Sequence, residues 1–208
     1  LATSNRPRVL LVTHNRGGGI SRHVNDLAAL LSDSLEVLVL KPHDEQSMSL
    51  SWARQSEEFS VFFEDRKKPQ ELLALLRAVG ISRIHLHHVH GLPAYVLDLH
   101  GELGVPLDIT LHDYFSVKPR EQLGPGGSVE LCCNAPENTW EFADDEWQQH
   151  MGPLLGVADR VITPSHDLAR RMDANYLGGL VARHVIGLHD AHAADVLLDP
   201  RIEPGDAA

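Results

Sequence analysis

The 208-residue chain is short of cysteine, of basic residues and of long apolar runs, and each shortage excludes a class of protein. Its two cysteines, Cys132 and Cys133, are adjacent. That arrangement is too strained for an ordinary disulfide, and no further cysteine is present to staple the fold or complete a zinc site. A reducing, cytoplasmic compartment is therefore expected. Lys and Arg number 18 against 29 Asp and Glu, giving a formal charge of −11. Such a balance argues against nucleic acid as the main partner, because phosphate neutralisation needs a basic face. No apolar run approaches the ~20 residues that span a bilayer, and the opening L-A-T-S-N-R-P-R lacks the apolar core of a signal peptide. The chain starts at Leu1 rather than methionine, as a processed protein or a segment of a longer one would.

What is present is an ordinary globular composition, 43% hydrophobic and 23% charged, with a length that suits one domain or at most two small ones. Within it, V-L-L-V-T-H-N-R-G-G-G-I-S-R-H-V (9–24) runs an apolar strand into three successive glycines and then an amphipathic helix beginning near Ile20. Gly17, Gly18 and Gly19 have no Cβ, so they can take positive φ and bring backbone N–H groups close to an anion. The helix after them points its positive dipole end at the same place. This is the pattern of a site for a phosphorylated ligand.

The order of elements extends that reading. A strand over 8–14, a helix with Ile20, Val24, Leu27, Ala28 and Leu31 on one face, and a strand over 35–40 make a parallel βαβ unit. A polar, Ser-rich connection over 42–58 leads to a strand at 59–63. Pro69 opens a helix carrying Leu72, Leu73, Leu76 and Val79, and Gly80 closes it. A strand at 84–88, a short helix over 92–100 and a strand at 106–112 follow. The irregular stretch 114–136 then reads as a functional loop. Trp140, Trp147, Met151, Leu154, Leu155 and Ala158 predict a helix kinked or restarted at Gly152 and Pro153. A strand at 160–163, a helix capped by Ser165 and a last strand over 184–188 complete the pattern, with a linker or tail after Asp190. Sustained alternation of strand and helix selects an α/β, Rossmann-like, doubly wound and mainly parallel sheet with helices on both faces.

Fourteen histidines are present, several at the carboxyl ends of these strands, where open parallel sheets hold ligands: His14, the group His85, His87, His88 and His90, and His112. Alternation along the strand points His85 and His87 one way and His88 the other, which weakens a metal reading of L-H-H-V-H-G; no metal is expected. His112 and Asp113 end a strand just before the irregular loop. An imidazole there can donate a hydrogen bond to a substrate hydroxyl while a carboxylate orients it, which makes the pair the candidate catalytic residues.

Four segments in order, R-V-L-L-V-T-H-N-R-G-G-G-I-S-R-H-V, I-H-L-H-H-V-H-G, V-P-L-D-I-T-L-H-D-Y-F and L-L-G-V-A-D-R-V-I-T-P-S-H-D-L-A-R-R-M, resemble the retaining glycosyltransferases of family four. These enzymes have the GT-B fold of two facing Rossmann-like domains. The resemblance spans roughly Arg8 to Met172 and covers the N-terminal half of such an enzyme. It implies an acceptor-side domain over 1–190 and a linker or tail over 191–208, with the donor-binding C-terminal domain absent from this chain. It gives Gly17, Gly18 and Gly19 a place near the donor diphosphate and the acceptor, His112 a contact to the donor sugar, and Ser165 a place lining the same cleft. With His14, Arg22 and His88 these make the candidate donor- and acceptor-binding set. The resemblance also implies transfer from a nucleotide-sugar to a saccharide or lipid-linked acceptor, as in polysaccharide biosynthesis, with retained configuration, no metal and no cofactor. It places the protein in the cytoplasm or at the inner face of the membrane. One departure is Lys118-Pro119-Arg120, where close members often carry a cysteine before the proline.

Three other readings compete. A nicotinamide-dependent oxidoreductase predicts G-x-G-x-x-G and an acid ending the second strand, but Gly17 and Gly19 are followed by Arg22, and that strand runs out in Leu40-Lys41-Pro42. A non-catalytic binding module and a nucleotide-sugar epimerase of GT-B shape would carry the same glycine loop.

Overall fold

The computed structural model describes residues 5–53, 59–64, 68–116, 144–176 and 183–185. The chain divides into two compact units, Leu1–Asp108 and Ile109–Ala208. It is α/β and Rossmann-like, with mainly parallel strand pairing.

In the first unit, β1 (Arg8–Val12) is the near-continuous apolar run of a strand covered on both faces, and Leu10, Leu11 and Val12 are wholly buried. It pairs in parallel with β2 (Glu36–Pro42) on one side and with β5 (Arg83–Leu86) on the other. Between β1 and β2 lies α1 (Gly18–Leu31), which buries Val24, Leu27, Ala28 and Leu31 together with His23. The predicted face is correct, but the helix starts at Gly18 rather than near Ile20. Two of the three glycines are thus its first turn.

The polar connection after β2 turns out to contain a strand. β3 (Met48–Trp52) pairs antiparallel with β2, and β4 (Ser60–Phe63) pairs antiparallel with β3. The order is β4-β3-β2-β1-β5. A side chain makes the hairpin: Asp44 Oδ1 accepts from the N–H groups of Gln46 and Ser47, both at 2.8 Å, and His43 N donates to Ser47 O at 3.0 Å. An aspartate reproducing a backbone turn in this way is a strong chain reverser.

α2 (Pro69–Val79) opens on its proline and ends at Gly80, which takes φ 73° in the left-handed region, and it buries Leu72 and Leu76. The short helix expected over 92–100 is a 3₁₀ stretch, Ala94–Asp98, running into α3 (Leu99–Leu103). The unit boundary falls within β6 (Leu107–Thr110).

In the second unit, Leu111 N donates to Ile162 O of β7 (Arg160–Thr163) at 2.9 Å, and β7 pairs in parallel with β8 (Arg183–Val185). α4 (Asp144–Val157) is one helix with Pro153 inside it, not a helix restarted there. It buries Trp147 completely, along with Met151, Leu154 and Leu155. α5 (His166–Asn175) buries Leu168, Ala169 and Met172. The irregular loop from residue 117 onward, with Lys118, Pro119, Arg120, Cys132 and Cys133, lies outside the described residues, as do Trp140 and the tail beyond 190. Among the described residues no helix is long and apolar enough to cross a membrane.

Candidate functional site

Three parallel strands of the first unit end at one edge, so the segments that follow them share it: 13–17 after β1, 43–47 after β2 and 87–91 after β5. Backbone bonds carry the ladder past the strand ends. Thr13 N donates to Leu40 O at 3.0 Å, and His87 N donates to Val12 O at 2.8 Å. The edge is therefore hydrogen-bonded as far as Thr13 and His87.

Gly17 is the N-cap of α1 with φ 73° and ψ −152°, a combination open in practice only to glycine, and Gly18 also has φ 73°. Nothing lies within 4 Å of where a Cβ would stand on Gly17, Gly18 or Gly19, so open space surrounds the loop. No side chain caps α1, and no acidic residue occupies its first turn. A helix start of this kind offers N–H groups and the positive dipole end outward.

His14 is buried, and its Nδ1 accepts from Arg16 N at 3.2 Å, tying the imidazole to the start of the glycine loop. Its ring meets that of buried His88 edge to face, with centroids 4.7 Å apart, and His88 Nδ1 accepts from His90 N at 3.0 Å. His85 and His87 form a separate contact at 4.0 Å, and His87 lies 5.5 Å from His23 of α1. The alternation read from the sequence holds: His85 and His87 associate, while His88 turns to His14. Arg22 projects from α1 into solvent, 79% exposed, with Asp26 one turn on at 3.8 Å.

Gly91, not singled out from the sequence, takes φ 77° and comes so close to β2 that a Cβ would stand 3.0 Å from Pro42 Cγ. It seats the loop after β5 on the end of β2. The signal was there in the last letter of L-H-H-V-H-G, but a close approach between segments fifty residues apart cannot be read from either one alone.

In the second unit, His112 is half-buried and directly follows Leu111, which is fixed to β7. Asp113 Oδ1 accepts from Phe115 N at 2.9 Å, closing a tight turn just beyond the histidine. Sequence reasoning missed what pins this turn. Trp147 Nε1 donates to Phe115 O at 2.7 Å, with the two rings edge to face at 5.3 Å. Tyr176 donates its hydroxyl to Ser116 O, and burial pushes the phenol well above its ordinary pKa. The Arg171 guanidinium lies over the Tyr114 ring at 5.8 Å. Ser165 caps α5 as predicted, its Oγ accepting from Leu168 N at 3.2 Å. Asp167 lies in the first turn of α5, its carboxyl held below the usual range chiefly by the hydrogen bond from Arg171 at 2.8 Å. The start of α5 thus uses its own side chains.

Residues 17–186 match the family described as Glycosyltransferase Family 4. No curated protein matches the chain. Solved structures with a likeness include a putative phosphomethylpyrimidine kinase from Bacteroides thetaiotaomicron VPI-5482, 15% identical, covering 77% of this chain and 49% of that one at a TM-score of 0.40. A pyridoxal kinase from Lactobacillus plantarum is 13% identical, covering 84% and 55% at 0.40. Glycyrrhiza uralensis UGT73P12, complexed with glycyrrhetinic acid 3-O-monoglucuronide, is 11% identical, covering 80% and 45% at 0.38. The chain spans about half the length of these structures, and likenesses this distant carry no argument about function.

Proposed function

The chain belongs to glycosyltransferase family 4, and from that premise we propose that it is the N-terminal, acceptor-side domain of a retaining GT-B enzyme. The enzyme moves a sugar from a nucleotide-sugar to a saccharide or lipid-linked acceptor in the cytoplasm. The observation that carries this reading is the start of α1: an N-cap glycine at positive φ, no side-chain cap and no acid in the first turn, at the carboxyl edge of parallel strands. Such an end suits an anion, and the diphosphate of the donor is one. In the reaction the bond from the anomeric carbon to the diphosphate breaks as the glycosidic bond forms on the same face. The acceptor hydroxyl gives its proton to the departing phosphate oxygen. Backbone N–H groups of the glycine loop stabilise the charge that grows on the diphosphate, which is where fixed dipoles are most effective. His112 donates a hydrogen bond to the donor sugar, and Asp113, through its bond from Phe115 N, holds the turn that aims it. His14 and His88 brace the edge, and Arg22 adds positive charge near it. The scheme calls for no metal and no cofactor.

Two measurements test this. Calorimetry of the 208-residue chain against a panel of nucleotide-sugars is expected to show millimolar or weaker binding and no transfer, since the donor domain lies elsewhere in the enzyme; micromolar affinity or robust transfer by this chain alone overturns the half-site assignment. In the whole enzyme, His112→Ala is expected to lower turnover about 10²- to 10³-fold, the cost of losing one transition-state hydrogen bond, with the melting temperature unchanged. Unchanged turnover removes His112 from the site. A joint loss of turnover and melting temperature makes it structural.

A further inference from the structure

The first unit carries a groove of about 780 Å³ that the transfer scheme does not use, lined by the β2–β3 turn and by Phe62 and Glu64 at the end of β4. The Asp44 turn builds one wall. The bonds from Gln46 N and Ser47 N fold the chain back and hold the Asp44 carboxyl below the usual carboxylate range, leaving Glu45 and Gln46 exposed beside it. The other wall is an edge strand that leaves an aromatic ring in the open: Phe62 is 52% exposed, yet its ring meets that of His43 edge to face at 4.7 Å. Ser47 lines the same groove and is only 7% exposed. Its hydroxyl faces the Asp44 carboxylate and adds to the backbone bonds that hold that carboxyl below the usual range.

The chemistry of the walls limits the occupant. Phe62 and His43 offer apolar ring surface suited to the C–H face of a sugar ring. The carboxyl groups of Asp44, Glu45 and Glu64 accept hydrogen bonds from hydroxyl or ammonium donors. Among the described residues no lysine or arginine lines the groove, so a phosphate or carboxylate ligand meets only like charge there. We propose that this groove binds a non-anionic saccharide, with amine-bearing sugars favoured over neutral ones. Its location suggests which part of a substrate it takes. The turn follows β2 at the same edge as the glycine loop, and β4 stands three strands from β1, about 14 Å away at the usual ~4.8 Å spacing. That is the reach of a short oligosaccharide, so the groove holds the distal sugars of an acceptor whose reacting end lies at the glycine edge. The acceptor role rests on the glycosyltransferase reading; saccharide binding does not.

Saturation-transfer NMR on the 208-residue chain tests the binding, with cellobiose, the glucosamine disaccharide and glucuronic acid as probes. Signal is expected from the first two and not from the third. Phe62→Ala is expected to weaken binding about tenfold, Phe62→Tyr to retain it, and Glu64→Gln to weaken the glucosamine disaccharide more than cellobiose. Because Phe62 is half-exposed, each variant should keep the wild-type melting temperature. No transfer to either disaccharide, equal binding of glucuronic acid, or unchanged binding by Phe62→Ala overturns the proposal. Saccharide binding here with no transferase activity in the whole enzyme leaves the groove and removes the acceptor role. Transfer with KM for an oligosaccharide acceptor unaffected by Phe62→Ala leaves the enzyme and removes the groove.

Discussion

α1 begins on Gly17 with no side-chain cap and no acidic residue in its first turn, whereas α5 begins on Ser165, whose Oγ accepts from Leu168 N, with Asp167 in its first turn. Both helix starts have the same unpaired N–H groups and the same dipole. They differ in what satisfies them. At α5 a hydroxyl and a carboxylate of the chain itself answer the positive end. At α1 no side chain caps that end and no acid stands in its first turn, and the glycines keep the approach clear. In the proposed function the two ends therefore carry different work: α5 is closed by its own side chains, and α1 is the end that would meet an anion. The surroundings match. The segment after His112 is pinned by side chains, through Trp147, Tyr176 and Arg171, while the loop after His14 takes its shape from glycines at positive φ and one bond from Arg16 N to His14 Nδ1.

Truncating a side chain should therefore hurt the pinned region most. Trp147→Ala removes a wholly buried indole and its bond to Phe115 O, and unfolding in denaturant should show a loss of about 3–5 kcal/mol. A loss under about 1 kcal/mol would mean that the turn after His112 is held by other means. At the open end the cost should come from backbone strain instead. Gly17→Ala is expected to lose about 1–3 kcal/mol and to abolish weak anion binding, because a Cβ there meets no neighbour but the residue must keep positive φ. Its neighbour is the control: Gly19 does not have positive φ, so Gly19→Ala should be neutral or stabilising by about 0.4–1 kcal/mol. Equal losses at 17 and 19 would show that the loop's conformation is not what matters.

Smaller effects sharpen the contrast at the closed end. Ser165→Ala should cost about 1 kcal/mol, the usual worth of an N-cap; a drop in nucleotide-sugar affinity at intact stability would place Ser165 in the ligand site, and unchanged affinity would leave it a cap alone. Tyr176→Phe should cost about 0.5–1.5 kcal/mol at neutral pH through its bond to Ser116 O. It should also alter the alkaline limb. Burial raises the folded-state pKa of Tyr176 above its unfolded value of about 10, so the folded state keeps the proton that the unfolded state gives up. The stabilisation is fully present below about pH 10 and declines as pH rises toward the folded value. Urea midpoints measured across that range should fall more steeply for the wild type than for the variant.

Much of this was legible in the residues, and where it was not the reason is physical. The 9–12 apolar run, the α1 face, Pro69 and Gly80 bounding α2, and Ser165 capping α5 are local signals, set by backbone preference and side-chain period within a few residues. β3 went unread although M-S-L-S-W alternates, because a five-residue strand after a turn made by one aspartate gives little periodicity to measure. The start of α1 was placed two residues late for a related cause: glycine carries no helical signal, yet Gly18 and Gly19 tolerate the first turn.

The sequence by itself determined the alternation of strand and helix, the glycine-opened start of α1 and the histidines that follow β1, β5 and β6, since these depend on short-range preference and on where apolar residues recur. Only the tertiary structure decided that β3 and β4 turn antiparallel, that Gly91 rests on Pro42, and that Trp147 and Tyr176 hold the turn after His112. It alone put Phe62 beside His43 over a groove of carboxylates. Those are contacts between residues far apart in the chain. They come from the closing of loops and the burial of rings, whose free energy belongs to the folded arrangement and to no single stretch of residues.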